Sequence, residues 1–249
     1  MDAVIPVLNV SAYKFVGLSD PARWRESIRS QAQTCALKGT VLLADEGINL
    51  FLAGDAQSLR GFIGWLRGHR ELADLEVKES WSDAAPFRRL IVKVKPEIIR
   101  MNCPTIRPQA ERAPAVDALT LARWLETGHD DTGRPVVTLD TRNAFEVGHG
   151  RFRGALDWGL SRFSDFPQAL QHRRHELEGK TVVSYCTGGI RCEKAALLMA
   201  EAGIANVVQL DGGILRYFEH TGGKHFDGHC FVFDQRESLD VTLAPAQTV

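Results

Sequence analysis

Tyr185-Cys186-Thr187-Gly188-Gly189-Ile190-Arg191-Cys192-Glu193-Lys194 is the stretch from which the fold of this chain is read. The apolar run Thr181 to Tyr185 enters it as a strand, and the helical pattern Ala195 to Ala200 follows it. A cysteine where a strand ends and a helix begins aims its sulfur at unpaired helix N–H groups and the positive end of the dipole. Such surroundings lower a thiol pKa from about 8.5 to roughly 3.5–7.5. The stretch therefore predicts a thiolate held in a loop. Gly188 and Gly189 are expected to take positive φ and turn their amides inward, and Arg191 to add a fixed charge. Helix terminus and amides should lower the Cys186 pKa first, and Arg191 second. Cys192 is expected to open the helix, either packing there as a small residue or resolving an oxidised Cys186.

Strands and helices alternate on both sides of this loop. A helix over Asp117–Thr127 precedes the strand Val136–Leu139, which ends in Asp140-Thr141-Arg142. A polar helix spans Asp165–Leu177. After Cys186 and its helix, Val207–Leu210 runs into Asp211-Gly212-Gly213 and a last helix, Ile214–His220. This order predicts a parallel α/β sheet with covered faces, and Cys186 beyond the C-terminal end of one strand. Asp140 and Arg142 are expected to brace neighbouring loops by hydrogen bonds. His149 reads as a structural histidine.

The first half of the chain has the order β-α-β-β-α-β. Val4–Phe15 reads as a strand. A helix opens at Asp20-Pro21 and carries Trp24, Ile28, Cys35 and Leu37 toward Gly39. Thr40–Ala44 and Ile48–Leu52 form a hairpin about Asp45-Glu46-Gly47, with Glu46 a solvated turn residue. A helix from Gly54-Asp55 to Gly68 carries Leu59, Phe62, Ile63 and Leu66, and strands follow at Leu75–Glu79 and Leu90–Lys95. The order is that of a ferredoxin-like, split βαβ domain. Arg88, Arg89, Lys93, Lys95 and Arg100 make this end basic. Arg89, Ile91, Lys93 and Lys95 share one strand face, opposite Leu90, Val92 and Val94. Such a stripe is either a solvated sheet face or a phosphate-tracking surface. The domains are thus expected at 1–101 and 117–222, with a proline-rich linker over 102–116 and a tail over 223–249.

The chain is 44% hydrophobic and 24% charged with a net charge of −1. Nothing global marks a polyanion partner, so any nucleic-acid reading rests on local patches. Five cysteines, an odd number at irregular spacing, exclude a disulfide framework and point to a reducing, cytoplasmic setting. No signal-peptide pattern opens the chain, and no apolar run nears the ~18 residues of a membrane span. Neither a flavin nor a nicotinamide fingerprint is present. His225, His229 and Cys230 lack a fourth ligand at regular spacing, so no metal is expected.

Asp140-x-Arg142, Gly148-His149, Gly154-Ala155, the Cys186 loop and Leu210-x-Gly212-Gly213 together resemble a rhodanese domain over roughly residues 115–220. The loop itself resembles the signature of the rhodanese-type tRNA uridine 5-hydroxylases. Two further stretches share that resemblance: Asp45-Glu46-Gly47-Ile48-Asn49, and a tail reading Gly228-His229-Cys230-Phe231-Val232-Phe233-Asp234-x-Arg236. The resemblance implies an N-terminal acylphosphatase-like domain and oxygen-dependent conversion of a tRNA wobble uridine to 5-hydroxyuridine, with Cys186 required and molecular oxygen as co-substrate. Longer members carry a cysteine-rich segment after this tail. Here no cysteine follows Cys230, so roles belonging to that segment are not expected.

Four residues separate Cys186 from Arg191. A tyrosine-phosphatase loop needs one more to wrap a phosphoryl group, and that next position holds Cys192. The count disfavours phosphatase chemistry. The catalytic residue is expected to be Cys186, within the loop Thr187, Gly188, Gly189, Ile190, Arg191 and Cys192. Arg88, Arg89, Lys93, Lys95, Arg100, Arg151, Arg153 and Arg162 are candidates to contact the phosphates of the tRNA anticodon region, and Trp158 and Phe163 to stack on an unpaired base. The alternative is a sulfurtransferase carrying a persulfide on Cys186 and passing it to a thiol or partner protein.

Overall fold

The structure, a computed structural model, describes residues 6–246. The described residues divide into two compact units, 6–99 with 233–236, and 100–232 with 237–246.

The first unit is β1 (Val7–Phe15), α1 (Pro21–Thr34), β2 (Lys38–Ala44), β3 (Gly47–Gly54), α2 (Ala56–Arg67), β4 (Val77–Ser82) and β5 (Leu90–Val94). The expected start of β1 at Val4 lies outside the described residues. The sheet order is β4-β1-β3-β2-β5, antiparallel except for the β2–β5 pair. This is the split βαβ arrangement with one more edge strand. Asp20 caps α1 by accepting from the Arg23 N–H at 3.0 Å, and Asp55 caps α2 through Ser58 at 2.9 Å. Ile28 and Ala32 of α1, and Leu59, Phe62, Ile63 and Leu66 of α2, bury against Val10, Val41, Ile48 and Leu50 of the sheet.

Several sequence expectations shift here. α1 stops at Thr34, short of Gly39, because Ala36 takes φ 52 and Leu37 N–H turns back to Ala32 O. β4 begins at Val77, since Leu75 closes a turn on Leu72. On β5, Val92 is buried, but Val94 is 40% exposed on what reads as the core face. A strand at the sheet edge runs past the helix layer, so its end loses cover. Glu46 is not solvated: its carboxylate accepts from the Ile98 N–H at 2.8 Å, while Asn49 donates to the Ile98 carbonyl at 3.3 Å. Two residues of the turn motif thereby clamp the segment leaving β5.

The second unit runs β6 (Ala115–Val116), α3 (Ala118–Thr127), β7 (Val136–Asp140), α4 (Ala144–Val147), β8 (Gly150–Phe152), β9 (Leu156–Asp157), α5 (Phe166–Arg173), β10 (Thr181–Tyr185), α6 (Ile190–Glu201), β11 (Val207–Leu210), α7 (Gly213–Thr221), β12 (Phe226–Gly228), β13 (Cys230–Phe231) and β14 (Ser238–Leu239). The parallel sheet has the order β6-β11-β10-β7-β9. Its central strand β10 is buried throughout. The proline-rich stretch read as a linker is packed into this unit: Ile106 and Ala113 are buried, and Ala115–Val116 is an edge strand. The polar helix over Asp165–Leu177 is broken, with single 3₁₀ turns on either side of α5. The tail is not one segment, because Phe233–Arg236 clusters with the first unit. Among the described residues, no helix is long and apolar enough to cross a membrane.

Candidate active site

β10 delivers Cys186 to the C-terminal edge of the sheet, and α6 begins four residues later. Gly189, with φ 106, caps that helix; Gly188 does not take a positive φ. Arg191 and Cys192 therefore lie inside the first helical turn, where their N–H groups have no intrahelical acceptor. The Gly189 N–H donates to Cys186 Sγ at 3.1 Å. From behind, α7 holds the loop: Ile214 N–H donates to Cys186 O at 3.0 Å and Leu215 N–H to Thr187 O at 3.1 Å. Gly213 makes this approach possible. A Cβ there would sit 2.4 Å from Cys186 O and 2.8 Å from Gly189 N.

Cys186 is fully buried, and its Sγ lies 3.8 Å from that of Cys192. None of the five cysteines is in a disulfide. Burial alone pushes the Cys186 thiol up. The hydrogen bond from Cys192, the Arg191 charge and the backbone N–H groups of Cys192 and Arg191 outweigh it and hold the pKa well below the usual thiol range. The sequence reading had the direction but ranked the amides first. Cys192 is pushed the other way, by burial and by the sulfur beside it. The two shifts run in opposite directions, so Cys186 is the sulfur of the pair that ionises first. A thiol owns one proton, so Cys192 serves Gly189 O, at 2.9 Å, or the Cys186 sulfur, not both. Gly189 O also accepts the Glu193 N–H at 3.2 Å, so it stays satisfied when the thiol turns to the thiolate.

Arg191 does not point an open fork at substrate. Its two terminal nitrogens donate to the Glu146 carboxylate at 2.5 and 2.7 Å, and both side chains are buried. Glu146 also accepts the Asn143 N–H at 3.0 Å. The sequence reading missed Glu146 as a partner. Its signal was the Asn143-x-x-Glu146 spacing, which marks a helix start with an inward acid. Asp140 and Arg142 form a second buried pair, with Arg142 Nε and Nη2 donating to the two carboxylate oxygens at 2.9 and 2.6 Å. Arg142 Nη2 also donates to Gly150 O at 2.6 Å, bracing the chain after α4. Neither residue contacts the Cys186 sulfur through a hydrogen bond.

The expected base-stacking residues are not at the surface. Trp158 and Phe163 are buried, packed with Phe166, and Trp158 Nε1 donates to Glu176 at 3.2 Å. The expected phosphate contacts are exposed. Arg151, Arg153 and Arg162 each stand 3.3–3.9 Å from an acid, Asp157, Asp227 and Asp165 respectively, and Arg100 donates to Asn102 at 2.9 Å. In the first unit Arg88, Arg89, Lys93 and Lys95 are exposed and, among the described residues, have no acidic partner. Arg25 and Arg29 of α1 join Arg89, Lys93 and Lys95 along one open groove beside β5. Glu26 pairs with both α1 arginines. Their spacing of four on one helix face was the sequence signal for this addition.

A family model of the UPF0176 acylphosphatase-like domain matches residues 7–98, and one of the rhodanese-like domain matches residues 120–220. A protein of Bordetella petrii named tRNA uridine(34) hydroxylase is 63% identical over 243 residues, covering 98% of this chain and 96% of its own. Proteins of the same name from Bordetella pertussis and Variovorax paradoxus are 63% and 60% identical, each over 96% of this chain and over 98% and 90% of their own lengths. Identity at this level through both domains means that the chain belongs to the tRNA uridine(34) hydroxylase family.

Proposed function

We propose that this protein is an enzyme that hydroxylates uridine 34 of tRNA, the wobble nucleoside, to 5-hydroxyuridine. The observation that carries the reading is the 63% identity over nearly the whole chain to relatives bearing that name. Cys186 is the reactive thiolate under this reading, held by the Thr187–Cys192 segment; Asp140 and Arg142 position the neighbouring chain. Exposed cations take the phosphates of the anticodon region: Arg88, Arg89, Lys93 and Lys95 on the first unit, and Arg100, Arg151, Arg153 and Arg162 on the second. The enzyme works in the cytoplasm, where its tRNA is, with molecular oxygen as co-substrate.

Nucleoside mass spectrometry of tRNA tests this in cells that have the gene, lack it, or carry Cys186→Ala. The expected result is 5-hydroxyuridine in the first alone, and its loss when the first are grown without oxygen. Equal 5-hydroxyuridine in all three strains, with thiocyanate formed from thiosulfate only when Cys186 is present, would instead make the protein a sulfurtransferase.

A further inference from the structure

Cys186 and Cys192 are both fully buried, and their sulfurs lie in contact at 3.8 Å. One follows the end of β10 and the other lies in the first turn of α6, so a single short loop sets their spacing. Burial shields Cys186 from dissolved thiols, while the side chain against its sulfur is itself a thiol. Cys192 is not tied to another task, because its alternative acceptor, Gly189 O, also takes the Glu193 N–H at 3.2 Å. Burial comes first among the causes that keep Cys192 protonated, followed by the hydrogen bond and the charge of Cys186; the Arg191 charge opposes them. Oxidation of Cys186 to an uncharged state removes the causes that its negative sulfur supplies and leaves that of Arg191. Cys192 thus becomes the better nucleophile once its neighbour has reacted.

We propose that Cys186 and Cys192 are the electron donor of the hydroxylation, a dithiol that each turnover converts to a disulfide. The proposal rests on the reading of this protein as an oxygen-dependent tRNA uridine hydroxylase and adds where the two electrons come from. Dioxygen brings two oxygen atoms, and the uridine takes up one. In the first step the C5–H bond becomes C5–OH. The second oxygen atom goes to Cys186, counted with the proton its thiolate has released, and the thiol becomes a sulfenic acid, oxidised by two electrons. In the second step the Cys192 sulfur attacks the Cys186 sulfur. An S–S bond forms, the S–O bond breaks, and the oxygen leaves as water with the Cys192 proton. Uridine, dioxygen and two thiols have then become 5-hydroxyuridine, a disulfide and water. The sulfurs close from 3.8 Å to about 2.05 Å as the bond forms. Exchange with a reducing dithiol returns the pair for the next turnover.

The test is a single turnover. Full-length protein, reduced and then freed of reductant under nitrogen, is mixed with a tRNA transcript carrying uridine 34 in air-saturated buffer. Nucleoside mass spectrometry counts 5-hydroxyuridine, and tryptic mapping reads the cysteines. Cleavage after Arg191 puts Cys186 and Cys192 on separate peptides, which their disulfide would join. The expected result is one disulfide per 5-hydroxyuridine and no more than one of each per chain, a limit that added dithiothreitol lifts. Without RNA, or without oxygen, the pair should stay reduced. Cys192→Ser should form no disulfide and leave Cys186 as a sulfenic acid that dimedone captures. 5-Hydroxyuridine formed while both cysteines stay reduced overturns the proposal and leaves the hydroxylase reading standing. So does a disulfide that forms as fast without RNA, or one that joins Cys186 to Cys230 instead. No 5-hydroxyuridine in any sample, with its level unchanged in cells lacking the gene, sinks the hydroxylase reading and the proposal with it.

Discussion

Glu146 and Arg191 form a two-pronged ion pair inside the second unit, at 2.5 and 2.7 Å, so the arginine nearest the thiolate is already spent on a carboxylate. That pairing sets how much of its charge Cys186 receives. Removing one partner of a buried pair leaves the other uncompensated, at a cost of about 3–5 kcal/mol. Glu146→Ala is expected to lose stability of that order in urea titration. Glu146→Gln, which can still accept a hydrogen bond from Arg191, should lose less and should lower the Cys186 pKa further, because the Arg191 charge then goes unshared. A Cys186 titration unmoved or raised in Glu146→Gln would mean that Arg191 does not act on the sulfur.

The thiolate itself gives a pH prediction. A thiol with a depressed pKa is ionised from that pKa upward, so whatever rate burial allows, alkylation of Cys186 should be at its plateau above the folded value and fall away as pH drops through it. Its midpoint should lie below the free-thiol value of about 8.5. Cys192→Ala deletes the proton that Cys192 shares with it and should raise the midpoint. Thiolate ultraviolet absorbance across pH, in wild type and variant, reads both. A midpoint at or above the free-thiol value in wild type sinks the account.

How far the site was legible follows from the kind of interaction involved. The strand–Cys186–helix order showed in the apolar run and the helical period, because those patterns are local. The β-α-β-β-α-β order was legible for the same reason. Glu146 was not, because its partner Arg191 lies 45 positions away and only folding brings a carboxylate to a guanidinium. Trp158 and Phe163 misled, since an aromatic in a polar stretch looks alike whether it faces water or Phe166. Glu46 read as solvated, yet the backbone it caps is Ile98, 52 positions on. Residues 102–116 read as a linker because two-residue strands such as β6 have no period to detect.

Two glycines near the sulfur should respond in opposite ways. Gly213 has φ +66, and a Cβ there would meet Cys186 O at 2.4 Å and Thr187 O at 2.8 Å, all backbone that cannot swing aside. Gly213→Ala is expected to cost on the order of 1–3 kcal/mol and to shift the Cys186 loop. At Gly188 a Cβ would meet nothing within 4 Å. Gly188→Ala should therefore change stability by no more than about 0.5 kcal/mol. Denaturation of the two variants side by side checks the contrast, and equal losses would refute it.

The basic groove of the first unit makes a prediction in salt. Arg89, Lys93 and Lys95 line it with Arg25 and Arg29, and Glu26, paired to the two α1 arginines, offsets part of that charge. Each cation that displaces a counterion from a phosphate contributes to the fall of log affinity with log salt. Lys93→Ala should weaken tRNA binding and reduce that slope by about 1, without changing preference among tRNAs. Arg89→Ala should do the same, and the two effects should add if the side chains meet different phosphates. Glu26→Gln should act the other way, because it frees the α1 arginines to face the groove. Filter binding across a salt series measures all three. A slope unchanged by both Lys93→Ala and Arg89→Ala would assign the groove to solvent and leave the phosphates to the arginines of the second unit.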